Sequence, residues 1–118
     1  MKKQKLQSFF VLSDLGNLEV FNDKVNIYIG KKDSEASNLF FLNIISLKWI
    51  ESIFQDKSEA YKRSIYLRYT LILKKYDEEI IKKHLEKIIK KCNNESNEDE
   101  QFKCLSHYLE YETEEWIY

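Results

Sequence analysis

The chain has 118 residues, of which 43% are hydrophobic and 33% charged, and its formal net charge at neutral pH is −1. Many of the apolar residues are bulky, which excludes the composition typical of disordered chains. A chain of this length suits one compact domain with one core, so we expect a single domain over residues 1–118.

The charges in the second half of the chain are sorted by sign. Residues 61–92 carry ten Lys or Arg against four Asp or Glu, whereas residues 93–118 carry one against eight. Patches of one sign steer oppositely charged partners and raise association rates, but they do not specify a fold. The small net charge therefore hides two segments of opposite sign.

No segment is long and apolar enough for a signal peptide or a membrane span. The apolar run that starts at Phe9 has four residues, and the longest mainly apolar stretch, residues 39–47, is well short of the ~20 residues that cross a bilayer. We therefore expect a cytoplasmic protein with no membrane partner and with reduced thiols at Cys92 and Cys104. The scarcity of residues with GC-rich codons indicates an AT-rich gene of bacterial, phage or plasmid origin.

The first thirty residues have the pattern of β-strands. Residues 6–12 form a short apolar segment that ends in turn residues around Gly16, and apolar and polar residues then alternate over 18–20 and 25–30. Three short strands separated by turns indicate an antiparallel meander.

Residues 36–57 are compatible with two structures. Leu47, Ile50 and Phe54 recur at helical spacing, whereas residues 39–45 form a mainly apolar segment that fits either a buried strand or the start of a longer helix. We predict a helix over most of 36–57 and leave its start before residue 46 open.

The second half of the chain gives the clearest elements. Residues 63–74 alternate as a strand with one apolar face. Asp77 is placed to cap a helix over 77–91, because a carboxylate can accept its unpaired backbone N–H groups. The inward face of this helix is predicted to consist of Ile81, His84, Leu85, Ile88, Ile89 and Cys92.

Asn97, with Glu100 three residues later, resembles a capping box and predicts a last helix on which Phe102, Leu105 and Leu109 share a face. The segment from residue 108 onward fits either a continuation of this helix or a strand. The predicted fold is therefore an α+β domain in which an antiparallel sheet of about four strands is packed by about three helices, in the order β-β-β-α-β-α-α.

The sequence contains no recognisable catalytic or metal-binding arrangement. A nucleophilic pair of Cys and His would need an oxyanion hole, for which two glycines offer little backbone. A structural zinc site would need more closely paired ligands than the four soft ligands provide. We expect no enzyme activity, no cofactor and no metal at these ligands, which are His84, Cys92, Cys104 and His107.

The basic residues 74–91 are one candidate interaction site. They are lysines, which suit contacts with phosphate but not the bidentate reading of bases. Tyr66, Arg68 and Tyr76 lie nearby. A solvated helix face in a Lys-rich protein is the simpler interpretation, and we favour it over a nucleic-acid site.

The acidic C-terminal segment is the other candidate. Aromatic anchors ringed by carboxylates suit docking on a basic protein, because the rings bury area and the charges set orientation and rate. The alternative, equally weighted, is that the aromatic rings complete the core while the glutamates keep the terminus soluble. The candidate partner-binding residues are Tyr108, Glu110, Tyr111, Glu112, Glu114, Glu115 and Trp116.

Size, gene composition, the lack of catalytic groups and the acidic aromatic segment together favour a small binding protein. We expect an immunity protein that neutralises a cognate toxin by occluding its basic active site, with a nuclease as the favoured target. Two alternatives stay open. One is a nucleic-acid-binding regulator that uses residues 74–91, and the other is a self-associating module that pairs the basic and acidic segments between subunits.

Overall fold

A computed structural model describes residues 3–11, 16–55 and 67–112. The predicted fold class and element order are confirmed, and a short strand is added at the C-terminal end. None of the described helices is long and apolar enough to cross a membrane. The elements are β1 (Gln4–Val11), β2 (Asn22–Lys31), β3 (Asn38–Ser46), α1 (Leu47–Gln55), β4 (Thr70–Leu73), α2 (Glu78–Cys92), α3 (Glu98–Tyr108) and β5 (Glu110–Tyr111).

The strands form one mixed sheet. β1, β2 and β3 pair antiparallel in sequence order, and two short strands share the outer edge of β3. β4 pairs with residues 43–46 in parallel, whereas β5 pairs with residues 40–41 antiparallel. The sheet is therefore not entirely antiparallel, because the connection through α1 returns the chain in the direction of β3, as a crossover connection does.

The prediction of a helix over most of residues 36–57 is wrong before residue 47. β3 is a strand because Phe40, Leu42 and Ile44 alternate onto one buried face, and because β2 supplies a hydrogen-bonding partner along its length. The apolar segment that fitted two structures is therefore strand, and α1 begins at Leu47.

The described residues among the first thirty form two strands rather than the three expected. Residues 18–20 form no strand, because Asn17 Oδ1 accepts the backbone N–H groups of Glu19 at 2.9 Å and of Val20 at 3.2 Å. These side-chain hydrogen bonds hold a turn and replace strand pairing.

β4 covers only the last part of the strand expected over residues 63–74. Tyr69, directly before it, has a left-handed backbone conformation with a φ of 51°, which interrupts an extended strand. Residues 63–66 lie outside the described part of the chain.

Both predicted helix starts are confirmed. Asp77 Oδ1 accepts the backbone N–H groups of Glu79 at 3.0 Å and Ile80 at 3.3 Å. Asn97 Oδ1 accepts the backbone N–H of Glu100 at 2.8 Å. These caps satisfy donors that the first helical turn leaves unpaired. Five of the six residues predicted for the inward face of α2 are buried: Ile81, Leu85, Ile88, Ile89 and Cys92. The sixth, His84, is only half-buried.

The core lies between α2, α3 and one face of the sheet, which we call the inner face. Leu105 and Leu109, on the predicted face of α3, are buried in the same cluster, and Phe102 packs against it. The most deeply buried side chains of the inner face are Val25, Ile27, Ile29, Phe40, Leu42 and Ile44.

A disulfide between Cys92 and Cys104 joins α2 to α3, with 5.4 Å between the two Cα atoms. The prediction of reduced thiols is therefore wrong for this structure. The two helices form a hairpin with a short turn, and this brings together two cysteines that are 12 residues apart in the sequence. A cross-link over a loop of this length stabilises a fold by about 3 kcal/mol in the chain-entropy account.

Candidate partner-binding surface

The described part of the acidic segment lies along the edge of the sheet. Tyr108 ends α3, Leu109 is fully buried, and Glu110 and Tyr111 form β5 beside β3. Of the two structures that the sequence left open after residue 108, the described residues adopt a short strand. Three of the candidate partner-binding residues lie outside the described chain: Glu114, Glu115 and Trp116.

Tyr111 faces inward. Its ring centroid is 5.4 Å from that of Phe40 and 4.8 Å from that of Phe102. Its hydroxyl donates to Asn38 Oδ1 at 3.4 Å, at the limit of a hydrogen bond. Tyr111 therefore packs against the core of its own domain and fastens β5, as the packing alternative for the aromatic residues anticipated.

Glu110 faces the opposite side of the sheet. Cross-strand pairing sets Phe10 opposite Asn26, Asn26 opposite Phe41, and Phe41 opposite Glu110. Directly paired residues share a face, so these four side chains form a row across four strands. We call this side of the sheet the outer face and name the row, with Lys24 and Tyr28, the outer-face cluster.

The outer-face cluster has an aromatic centre. Phe10 is 44% exposed, and its ring stacks on Tyr28 with 6.0 Å between centroids. Phe41 is half-buried, and the Lys24 ammonium lies 5.4 Å from its ring centroid. Partly exposed aromatic rings bordered by charged groups are typical of protein interaction surfaces.

Carboxylates border the aromatic centre on the β5 side. Glu110 is only 16% exposed in its side chain and lies 3.9 Å from the Lys24 ammonium, which is 44% exposed. A pair of this kind contributes at most about 1 kcal/mol, so a cation on a partner can compete for the carboxylate. Glu112 is exposed, and its backbone N–H donates to the Leu39 carbonyl at 3.2 Å.

Asn26, in the middle of the row, has an unsatisfied acceptor. The residue is 7% exposed, and its Oδ1 has no hydrogen-bond partner among the described residues. An unpaired buried polar group costs about 1–3 kcal/mol. The unpaired oxygen lowers stability and lies at a surface of aromatic rings. This combination is consistent with a functional rather than a purely structural role for that surface.

The aromatic residues of the outer face were not among the candidate residues from the sequence. Alternation over β1 and β2 would have put Phe10 and Tyr28 on one face. The predicted helix over residues 36–57, however, removed Phe41 from the sheet. Because residues 38–46 were not recognised as a strand, the sequence did not predict that these rings lie together on the outer face.

The basic residues lie elsewhere, on α2. Tyr76 is unsuited to stacking on bases, because it packs edge-to-face on Phe21 with 6.2 Å between centroids. Burial and the charge of Glu78 raise the pKa of Tyr76. A hydrogen bond to the Tyr108 hydroxyl raises the pKa of the Lys91 ammonium, which lies 5.1 Å from the Tyr108 ring centroid. The exposed lysines of α2 are Lys82, Lys83, Lys87, Lys90 and Lys91.

The soft metal ligands do not assemble into one site. Cys92 and Cys104 are bonded to each other, and the described residues contain no group of three or more possible metal ligands. His84 and His107 line a separate cavity at the edge of the sheet. Burial, with a smaller effect from Lys87, lowers the pKa of His84.

A family model described as Immunity protein 8 matches residues 4–116 of the chain. The matched range includes every described strand and helix, so the similarity concerns the whole domain rather than one motif. No curated protein and no solved structure matches the chain.

Proposed function

The chain belongs to the Immunity protein 8 family, and from that premise we propose that it neutralises a cognate toxin by covering the toxin's basic active site. Membership implies a toxin as the protein partner and is consistent with a non-catalytic inhibitor. The observation that carries the choice of surface is the outer-face cluster, in which partly exposed aromatic rings are bordered by Glu110 and Glu112.

A nuclease is the target that the charges favour. An enzyme that cuts nucleic acid holds the phosphate backbone with Lys and Arg side chains. Carboxylates bind the same cations through charge-assisted hydrogen bonds. Glu110 and Glu112 provide two such carboxylates, and Glu114 and Glu115 follow them in the sequence. These four glutamates would steer the basic cleft toward the outer face and accelerate encounter.

The anchoring part of the interface is assigned to rings that the domain does not already use. Tyr111 packs on Phe40 and Phe102, so we assign the anchors to Phe10 and Phe41 instead. Trp116 stays a proposed anchor beyond the described residues. Hot spots at protein interfaces are large side chains that become fully desolvated on binding, and half-exposed aromatic rings meet this requirement.

The test uses the cognate toxin and two double variants. Glu110→Gln with Glu112→Gln should lower the association rate and its salt dependence while leaving the dissociation rate nearly unchanged. Glu51→Gln with Glu86→Gln removes the same charge from exposed positions on α1 and α2 and is the matched control. An equal fall of the association rate in both double variants would contradict the assignment of the outer face as the toxin-binding surface. If the toxin that the protein neutralises cuts neither DNA nor RNA when it is free, this would contradict the nuclease target alone.

The exposed lysines of α2 would suit the alternative function, binding of nucleic acid, which we do not favour. Such binding would weaken steeply as salt is raised, because phosphate contacts release counterions. Measuring the affinity for duplex DNA and RNA over a salt series distinguishes it from toxin inhibition. We expect no binding at physiological salt.

A further inference from the structure

The two short strands on the outer edge of β3 leave a gap that opens into a cavity. β5 pairs with residues 40–41 and β4 with residues 43–46, so Leu42 lies at the boundary between them. The cavity has a volume of about 370 Å³ and is also bounded by α2 and the end of α3. Its polar lining residues are Arg68, Tyr69, Thr70, His84, His107 and Tyr108.

The positive charge in the described part of the cavity wall is that of Arg68. Arg68, His84 and His107 lie in its wall, and none of the described residues that line it is Asp or Glu. Burial and the nearby charge of Lys87 lower the pKa of His84, so its imidazole offers an N–H donor rather than a cation. A guanidinium beside such a donor, with no carboxylate among the described lining residues, favours an anionic ligand.

The guanidinium of Arg68 is held in place by its neighbour. It lies 4.4 Å from the Tyr69 ring centroid and donates to the Tyr69 hydroxyl at 2.5 Å. That hydroxyl donates to the Ser106 carbonyl at 3.3 Å, which ties the loop to α3. A guanidinium has five N–H donors, so this arrangement leaves several for the oxygen atoms of a ligand.

Tyr69 adopts a backbone conformation that is uncommon for a residue with a side chain. Its φ of 51° lies in the left-handed region, which is strained for a residue with a Cβ atom. The surrounding fold maintains this geometry where Arg68 and Tyr69 stand side by side at the cavity. Strained residues of this kind cluster at binding sites, where they hold side chains in position.

We propose that this cavity binds the phosphate group of a small phosphorylated molecule of nucleotide size. A phosphate group offers several oxygen acceptors to the Arg68 guanidinium and the His84 imidazole. Cavities of about 300–1,000 Å³ are usual for small ligands. The exposed His107 ring, which lines the cavity, provides aromatic surface for a flat base. The proposed ligand differs from the toxin, so binding at this cavity does not rest on the proposed toxin inhibition.

The experiment is a titration followed by the NMR signals of the His84 and His107 rings. The probes are inorganic phosphate, adenosine 5′-monophosphate and adenosine, with sodium chloride at matched ionic strength as the control for screening. Both phosphate probes should give saturable shifts of the two rings. Adenosine alone, which has no phosphate, should bind at least about tenfold more weakly than the monophosphate, since loss of a charge-assisted contact costs 1.4 kcal/mol or more.

Variants test the role of Arg68. Arg68→Gln should weaken binding of the monophosphate by about tenfold or more, and Arg68→Lys should weaken it less because the charge is kept while the planar fork is lost. Lys48→Gln removes an exposed cation on α1 and should leave affinity unchanged. Thermal unfolding without ligand shows whether each variant is folded, and Arg68→Lys keeps the test valid if the Gln variant is not.

Each outcome decides the proposal. Saturable binding of both phosphate probes, with the monophosphate tighter, supports it in full. Equal affinity for the two would support a phosphate site and overturn the nucleotide-sized ligand. Shifts that follow ionic strength alone, adenosine binding as tightly as its monophosphate, or unchanged binding in Arg68→Gln would overturn the phosphate site.

Discussion

The two faces of the same sheet bury aromatic side chains in different surroundings. On the inner face, Phe40 is fully buried and packs against Phe102 and Tyr111. On the outer face, its neighbour Phe41 lies between the unsatisfied amide oxygen of Asn26 and the carboxylate of Glu110. Because alternate residues of a strand face opposite sides, one step along β3 separates a side chain that holds the fold from one that can meet a partner.

The largest expected effect comes from the pair Phe40 and Phe41. Phe40→Ala should lower the free energy of unfolding by about 3–5 kcal/mol, since it removes a fully buried ring and leaves a cavity. Phe41→Ala should lower it by about 1 kcal/mol, because the ring is only half-buried. Chemical denaturation measures both. Equal losses of unfolding free energy in the two variants would contradict the difference between the inner and outer faces.

The next effect is the loss of the Cys92–Cys104 disulfide. Replacing both cysteines with Ala should lower the free energy of unfolding by about 2–4 kcal/mol, because the cross-link restricts the unfolded chain. Wild-type protein treated with a thiol reductant should lose a similar amount and serves as the control. A melting temperature unchanged by reduction would show that the packing of α2 on α3, rather than the bond, holds the inner face together.

A smaller effect of opposite sign is expected at the centre of the outer face. Asn26→Val removes the unsatisfied amide oxygen and suits a strand, so it should raise the free energy of unfolding by about 1 kcal/mol. The same change should weaken toxin binding if the amide serves the interface. Asn43→Val, at a half-buried outer-face position of β3, is the comparison variant. Lower stability in Asn26→Val would mean that the amide is structurally required.

The smallest effect concerns His84 at the margin of the inner face. Burial and Lys87 lower its pKa below the ordinary value of 6.5, so the folded state binds this proton less readily than the unfolded chain. The contribution to stability is therefore fully present above pH 6.5 and is lost as the pH falls from 6.5 toward the folded pKa. The unfolding free energy of His84→Gln, followed from about pH 8 to about pH 5, should fall less than that of wild type. Parallel pH profiles would contradict the assignment.

Local signals in the sequence were sufficient for α2 and α3. Asp77 and Asn97 cap their helices by accepting hydrogen bonds from backbone N–H groups two or three residues away. The helical period of the apolar residues on α2 is visible in the sequence without knowing what the helix packs against. The prediction failed at β3, whose apolar segment becomes a strand through pairing with β2. This pairing lies outside the segment itself and cannot be recognised from its composition alone.

The candidate site was predicted only in part for the same reason. Alternation in the acidic segment separates Glu110 from Tyr111, but only the pairing of β5 with β3 decides which of them faces the core. The bond between Cys92 and Cys104 likewise depends on how α2 lies against α3. Spacing in the sequence describes faces of an element, whereas a site requires that the faces of several elements meet.

The most direct test of the outer-face interface is the dissociation rate of the toxin complex formed by Phe41→Ala. If Phe41 is an anchor, the rate should rise about 30-fold, which corresponds to a hot-spot loss of about 2 kcal/mol. The folded fraction of the variant, checked by denaturation, should stay close to that of wild type. A dissociation rate equal to that of the wild-type complex would contradict the account and place the toxin on another surface.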